Sequence, residues 1–317
     1  MDEPSEIETV DMRAIAGRNH RSGIAVASPE PVLQPADGRR WRDRHFYRAF
    51  TLPAVSVAVG TTVLPLALLL FWSLVDQRSG EPTLRYYAQS LASPYFVRTL
   101  LTTILMAAGV TAVSIVLALP VAYVLARHTL LRSVLVPVIS VPRMLPFVVI
   151  GYAIVLLLAP YTGVLNKSLI AAGILSEPVF ILFGWPGQAI AFGYAGVVIA
   201  IAILTGVFMT VDPQLEDAAV TLGAGRLKAV LTVSMPLAAP GTVAAAALIF
   251  STVVTSYAIP VMLNSRTPYM VSVVIYNNLY SLQERHLAYA QAIIVTALAV
   301  SVTTAAQFFL SRFGSRR

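Results

Sequence analysis

Long runs without a charged side chain dominate the chain after residue 48, and short stretches rich in charge and turn residues separate them. The runs are Ala49–Val75, Thr99–Ala126, Met144–Asn166, Pro178–Val211, Ala229–Ser265 and Leu287–Ser311. Each exceeds the roughly 20 residues that cross about 30 Å of hydrocarbon as a helix. Ten-residue segments of alternating polarity, the mark of a membrane barrel, do not occur. The pattern predicts an all-α integral membrane protein with six transmembrane helices. The two longest runs are trimmed where turn residues such as Trp185-Pro186-Gly187 stand. The third helix is expected to begin nearer Ser133 and to carry Arg143 inside it.

The polar opening of the chain follows a different rule. Residues 1–45 mix acids with arginines and contain SPEPVLQPADG, which favours neither helix nor strand. They read as a disordered tail, with residues 46–317 forming the membrane domain. The tail has no apolar core of a cleavable signal peptide and is expected to stay attached. It ends in a basic collar of Arg39, Arg40, Arg42, Arg44 and Arg48.

Composition agrees with the pattern and narrows it. The chain is 57% hydrophobic and only 12% charged, with a mean hydropathy of +0.76. Soluble domains carry about 25% charge, so a water-soluble enzyme of this size would lack polar surface. There is no cysteine, hence no disulfide framework and no thiolate metal site. The net charge of +7 is spread between apolar blocks, which fits membrane topology and not a nucleic-acid face. With the N-terminus inside, twelve basic flanking residues fall on the cytoplasmic side: the collar, Arg127, Arg132, Arg226, Lys228, Arg312, Arg316 and Arg317. Six fall outside: Arg78, Arg85, Arg98, Lys167, Arg266 and Arg285. That asymmetry, and the even helix count, place both termini in the cytoplasm.

The segment between helices four and five, about residues 212–236, carries the strongest functional signal. Asp212 is a good N-cap and Pro213 suits the first helical position. Glu216 and Asp217 lie near the positive end of the helix dipole. Leu215, Ala218, Ala219 and Leu222 recur as one apolar stripe, and Gly223 and Gly225 stop the helix. The expected product is a short amphipathic helix outside the membrane. Its two alanines would let another backbone approach closely, as in a docking element.

Here the sequence resembles a known family. Asp217-Ala218-Ala219, then Gly223, then Val233-Ser234-Met235-Pro236 is similar to the EAA loop of permease subunits in binding-protein-dependent, type I ABC importers. Every spacing of the pattern E-A-A, three residues, G, nine residues, I-x-L-P is kept. Asp217, Val233 and Met235 replace Glu, Ile and Leu. The likeness extends over most of the chain beyond residue 50. TLRYYAQSLASPYFVRTLLTTILMAAGVTAVSIVLALPVAYVLAR and TGVLNKSLIAAGI resemble the spermidine/putrescine branch. SYAIPVMLNS stands where that branch has tyrosine-valine-x-P-x-L-L-G, with Leu263-Asn264 in place of the final leucine-glycine.

The resemblance implies a six-helix permease bundle in the bacterial inner membrane that carries a polyamine or similar small organic ion. It implies a cytoplasmic ABC ATPase dimer, a second and paralogous permease, and an extracellular or periplasmic substrate-binding protein as partners. Coupling to the ATPase would fall to Leu215, Glu216, Asp217, Ala218, Ala219, Leu222 and Gly223, with Pro236 shaping the return to the membrane.

Candidates for the substrate path are Arg143, set among Pro137, Pro142 and Pro146, together with Tyr152 and Tyr257. A guanidinium in hydrocarbon needs a water-filled cavity or a partner, unless Arg143 lies at the membrane interface. The tyrosines, with Tyr161 and Tyr276, either offer rings to an organic cation or serve packing. Asn264, Asn277 and Asn278 fall near the outer face. Outside the tail the acids are Asp76, Glu81, Glu177, Asp212, Glu216, Asp217 and Glu284, and none is mid-membrane. That absence speaks against a polycation. Arg143 favours instead an anionic or zwitterionic solute such as an opine, an amino-acid derivative or a phosphonate.

No Walker A motif occurs, so ATP hydrolysis is assigned to a partner and no enzyme is expected. His20, His45, His128 and His286 are scattered, and no metal or cofactor is expected. The alternative reading is a self-sufficient secondary transporter or channel. It would require inverted repeats and intramembrane ionisable pairs, and neither is seen.

Overall fold

The computed structural model describes residues 37–263 and 270–314. Most of the expected tail, Asn264, Ser265, Arg266, Arg316 and Arg317 lie outside the described residues. The chain divides into two compact units, Met1–Val63 and Leu64–Arg317. In the first, the described residues are the opening of helix α1, Asp37–Ser73, which starts inside the stretch read as tail. From Leu64 onward the same helix exposes Leu64, Leu66, Leu68, Leu70, Phe71 and Trp72.

In the second unit the core is built on three helices. α2, Arg85–Ala92, precedes α3, Pro94–Arg127, whose start is fixed by Ser93: its hydroxyl accepts from the Phe96 amide, and Pro94 fills the first turn. The buried face of α3 runs through Thr103, Met106, Val110, Ser114, Ala118, Ala122 and Leu125, a spacing of three and four residues. It packs most extensively on α7, Trp185–Met209, and both pack on α10, Met235–Thr255. The crossing of α3 and α7 is close because Gly196 has no Cβ; one there would meet the Ser114 hydroxyl and the Ile249 side chain of α10. Small residues of this kind bring helices together where lipid supplies no hydrophobic drive.

The third span differs from expectation. It starts at Thr129, not near Ser133, and it is two helices: α4, Thr129–Met144, and α5, Phe147–Leu158, with axes 99° apart. Pro146 removes an amide and drives Leu145 out of helical geometry, to φ −73° and ψ 131°. Arg143 is therefore in the last turn of α4, at the break, where the carbonyl end of the helix favours a cation.

The fourth span is shorter than its charge-free run, and Trp185 and Pro186 lie in its first turn. Ahead of it, α6, Val164–Ala171, holds the buried Asn166. Its side chain both donates to and accepts from the Val179 backbone, at 3.1 and 3.0 Å.

After α7 come α8, Pro213–Thr221, α9, Arg226–Ala229, and one wide π-helical turn, Val230–Ser234, leading into α10. The run read as continuous to Ser265 stops at Thr255, and α11, Ala258–Met262, packs on α5. A Cβ on Gly151 of α5 would lie 2.8 Å from the Met262 Cβ. α12, Val271–Tyr276, a second wide turn, Asn277–Ser281, and α13, Arg285–Gly314, complete the chain. The buried Asn278 and Gln291 side chains hold that second turn to α13 through a 2.7 Å hydrogen bond.

Among the described residues there is no strand beyond an isolated bridge between Val75 and Pro82. Among the described residues five helices are long and apolar enough to cross a membrane, and the spans number six if the bent α4–α5 pair is taken as one.

Candidate functional site

The helix expected between the fourth and fifth spans is α8. The Asp212 carboxylate accepts from the Gln214 amide at 2.9 Å, and Pro213 follows at the first position. At the other end, the Gly223 amide bonds the Val220 carbonyl and the Ala224 amide the Ala219 carbonyl. That pair is a Schellman stop, and it needs a left-handed residue. Gly223 supplies it at φ +92°.

α8 presents two faces. Leu215, Ala218 and Leu222 point away from the protein with Asp217, and Leu222 is 89% exposed. Ala219 is half-buried. Beyond the stop, Leu227 is 73% and Leu231 54% exposed. Several large apolar side chains exposed on one short stretch are a candidate interaction surface.

The inward face is held by Glu216. Its carboxylate accepts from the Arg127 guanidinium at 2.5 Å and the Tyr123 hydroxyl at 2.6 Å, both on α3, and from the Ser234 hydroxyl in the wide turn before α10. Arg127 also donates to the Val211 carbonyl at 2.9 Å, fixing the chain where it leaves α7. Burial raises the Glu216 pKa, but the hydrogen bonds from Ser234, Tyr123 and Arg127 outweigh it and hold the carboxyl below its ordinary value. Glu216 thus joins three elements, while its neighbours Leu215 and Asp217 face outward. Sequence reading grouped all three, and it took Arg127 as a flanking charge only. Tyr123 and Ser234 gave no signal, because a hydroxyl in an apolar run is unremarkable until its partner is known. Pro236 lies in the first turn of α10, directly after the wide turn.

The path candidates do not converge. Arg143 borders two hollows of about 230 and 240 Å³ between the third span and α7. Tyr194 lines one; neither Tyr152 nor Tyr257 lines either. The hollows meet α7 at Tyr194–Ile199 and at Ile201–Met209, so Arg143 stands about halfway along that helix. A guanidinium at such depth costs roughly 2.5–3.5 kcal/mol on insertion scales. Tyr152 is 59% exposed. Tyr257 stacks on Tyr276 with centroids 4.5 Å apart, and Tyr276 on Tyr280 at 4.7 Å. Tyr161 meets Phe180 edge-on. Among the described residues no three His, Cys, Asp or Glu gather as for a metal.

Comparison with known proteins adds to this geometry. Residues 114–314 match the family described as "Binding-protein-dependent transport system inner membrane component". The molybdenum transport system permease protein ModB of Escherichia coli K12 is 30% identical over 162 residues, 47% of this chain. The chain spans 65% of that relative's length. The sulfate transport system permease protein CysT of Salmonella typhimurium is 26% identical over 271 residues, covering 84% of this chain and 95% of its own. A chain of a bacterial alginate ABC transporter, solved with an alginate pentasaccharide-bound periplasmic protein, superposes with a TM-score of 0.71. It is 18% identical, covers 88% of this chain and 98% of its own, and shares the fold. The two permease relatives are named for molybdenum and sulfate, and neither supports the assignment to the spermidine/putrescine branch. With its helical bundle and its matched residues 114–314, the chain belongs to the family of binding-protein-dependent transport system inner membrane components.

Proposed function

We propose that this chain is one of two permease subunits of an ATP-driven importer, and that α8 is where a cytoplasmic ATPase engages it. The carrying observation is the division of labour on α8. Leu215, Ala218, Asp217 and Leu222 face outward, while Glu216 is tied to α3 and to the start of α10. A helix that is apolar outside and bonded inside passes displacement from a docked partner into the bundle. The partners are an ATPase dimer, a second permease and an external binding protein, and both termini face the cytoplasm.

The solute is a small anion and not a polyamine. Two observations support this reading: the molybdenum and sulfate in the relatives' names, and the lack of any carboxylate in the described spans. A polycation would find no counter-charge there, whereas Arg143 offers an anion one.

The test is the assembled importer in liposomes with loaded binding protein. Ala218→Trp and Leu222→Asp should each lower ATP-driven uptake at least tenfold while the permease pair still assembles. Overpacking a close contact costs about 1–3 kcal/mol, enough for that change. Wild-type uptake with both substitutions would remove α8 from the coupling.

A further inference from the structure

One face of α4 holds two arginines. Arg132, Ser140 and Arg143 recur on it with Val136 and Ile139 between them, and this stripe lies over Ile201, Thr205 and Met209 of α7. The opposite face, Leu130, Val134, Val138 and Val141, is apolar and exposed. Both cations line the hollow between α4 and α7, Arg132 half-buried and Arg143 exposed, on the side of α4 that meets another helix of the bundle, where polar groups serve pathways. Neither guanidinium has a hydrogen-bond or ion-pair partner among the described residues. Arg127, on the preceding helix, has both. Ser140 and Thr205 add two hydroxyls, each free to accept although its own proton goes to a carbonyl one turn back.

The space agrees in size. Pockets for drug-sized molecules begin at roughly 300 Å³, and each hollow here is smaller, which suits a small ion. The rise of 1.5 Å per residue sets the two arginines about 16 Å apart along α4, one near the end of the span and one halfway through it.

We propose that Arg132 and Arg143 make the groove between α4 and α7 an anion-binding channel, with Arg143 the mid-membrane station and Arg132 the exit toward the coupling end. The occupant is the transported oxyanion, so the proposal rests on the anionic-solute reading above. Arg143 binds it bidentately, because a guanidinium fork matches two oxygens of a tetrahedral anion. Positions Arg132 and Arg143 are binding residues, and no chemistry is performed on the solute.

The chain has no cysteine, so a single Ser140→Cys reports the groove's field directly. In the full importer this thiol should react at least fivefold faster with an anionic methanethiosulfonate than with its trimethylammonium counterpart. Arg143→Gln added to it should abolish that preference, and Arg143→Lys should keep most of it. Sulfate, molybdate or methylphosphonate should slow the labelling. In liposomes, Arg143→Gln alone should cut uptake of the same anion tenfold or more, and Arg143→Lys should restore most of it. Equal reaction rates in the arginine-containing protein overturn the proposal. So does protection by phosphatidylglycerol vesicles with none by the three anions, which would make the groove a lipid site. If wild type imports an anion and Arg143→Gln imports it equally, only this groove is wrong. If wild type imports spermidine and no anion, the solute reading fails as well.

Discussion

Glu216 shows how much one carboxylate can organise. It is the point where α3, α8 and the turn before α10 share charge-assisted hydrogen bonds. Each such bond contributes about 1.5–3 kcal/mol. Glu216→Ala should therefore lower the thermal midpoint of the purified permease and take away Arg127's carboxylate partner, whereas Glu216→Gln should retain part of the stability. The pH dependence has a definite sign. Because the folded pKa of Glu216 is depressed, its stabilisation is complete above the ordinary carboxylate value of about 4.3 and is lost as pH falls through the folded value. From pH 5 to 8 this group adds no slope. Acid unfolding followed by circular dichroism should show a shallower loss in Glu216→Gln than in wild type; identical acid profiles would contradict the assignment. None of this was legible in the sequence, because the partners are 18 to 93 positions away and the pairing depends on how the helices close.

At the scale of the element, α8 is the part the sequence specifies most completely. Asp212, Pro213 and Gly223 are local signals, and local signals act within a turn, so the cap, the start and the stop were all readable. The broken third span was readable only in part. Pro142 and Pro146 were in view, yet hydropathy has no term for direction, and a 99° bend leaves the apolar count unchanged. The wide turn at Val230–Ser234 left no mark either, since it changes hydrogen-bond register and not composition. Gly223 offers a discriminating measurement. No atom stands within 4 Å of a Cβ placed there, so any penalty is conformational and not steric. The left-handed region costs an ordinary residue roughly 1–2 kcal/mol, and asparagine tolerates it best. Gly223→Asn should keep most uptake and Gly223→Val should lose most of it, with both proteins inserted at wild-type levels. Equal uptake in the two variants would mean that the stop is not required for coupling.

For the whole molecule, the six spans counted by hydropathy match the five long helices of the described residues once the bent pair is taken as one span, because burial in lipid is a property of length and composition. Orientation rests on basic residues alone, and the cysteine-free chain allows it to be measured. Cysteine at Ser176 or Ser281, both exposed in the structure, should label from outside intact cells, and cysteine at Gln214 should label only after permeabilisation. Labelling of Gln214 from outside would invert the topology. The break at Leu145 and Pro146 bears on the mechanics of such a bundle. An uncut span of the same length would be a strut, delivering any push at its inner end to its outer end. Here α4 leans on α3 and α7, α5 is held among α6, α7 and α11, and two residues of extended chain lie between. A strut cut in the middle carries tilt at one end without handing it to the other. The single break thereby uncouples the tilt of α4 from that of α5, and the inner half of the span can lean without dragging the outer half.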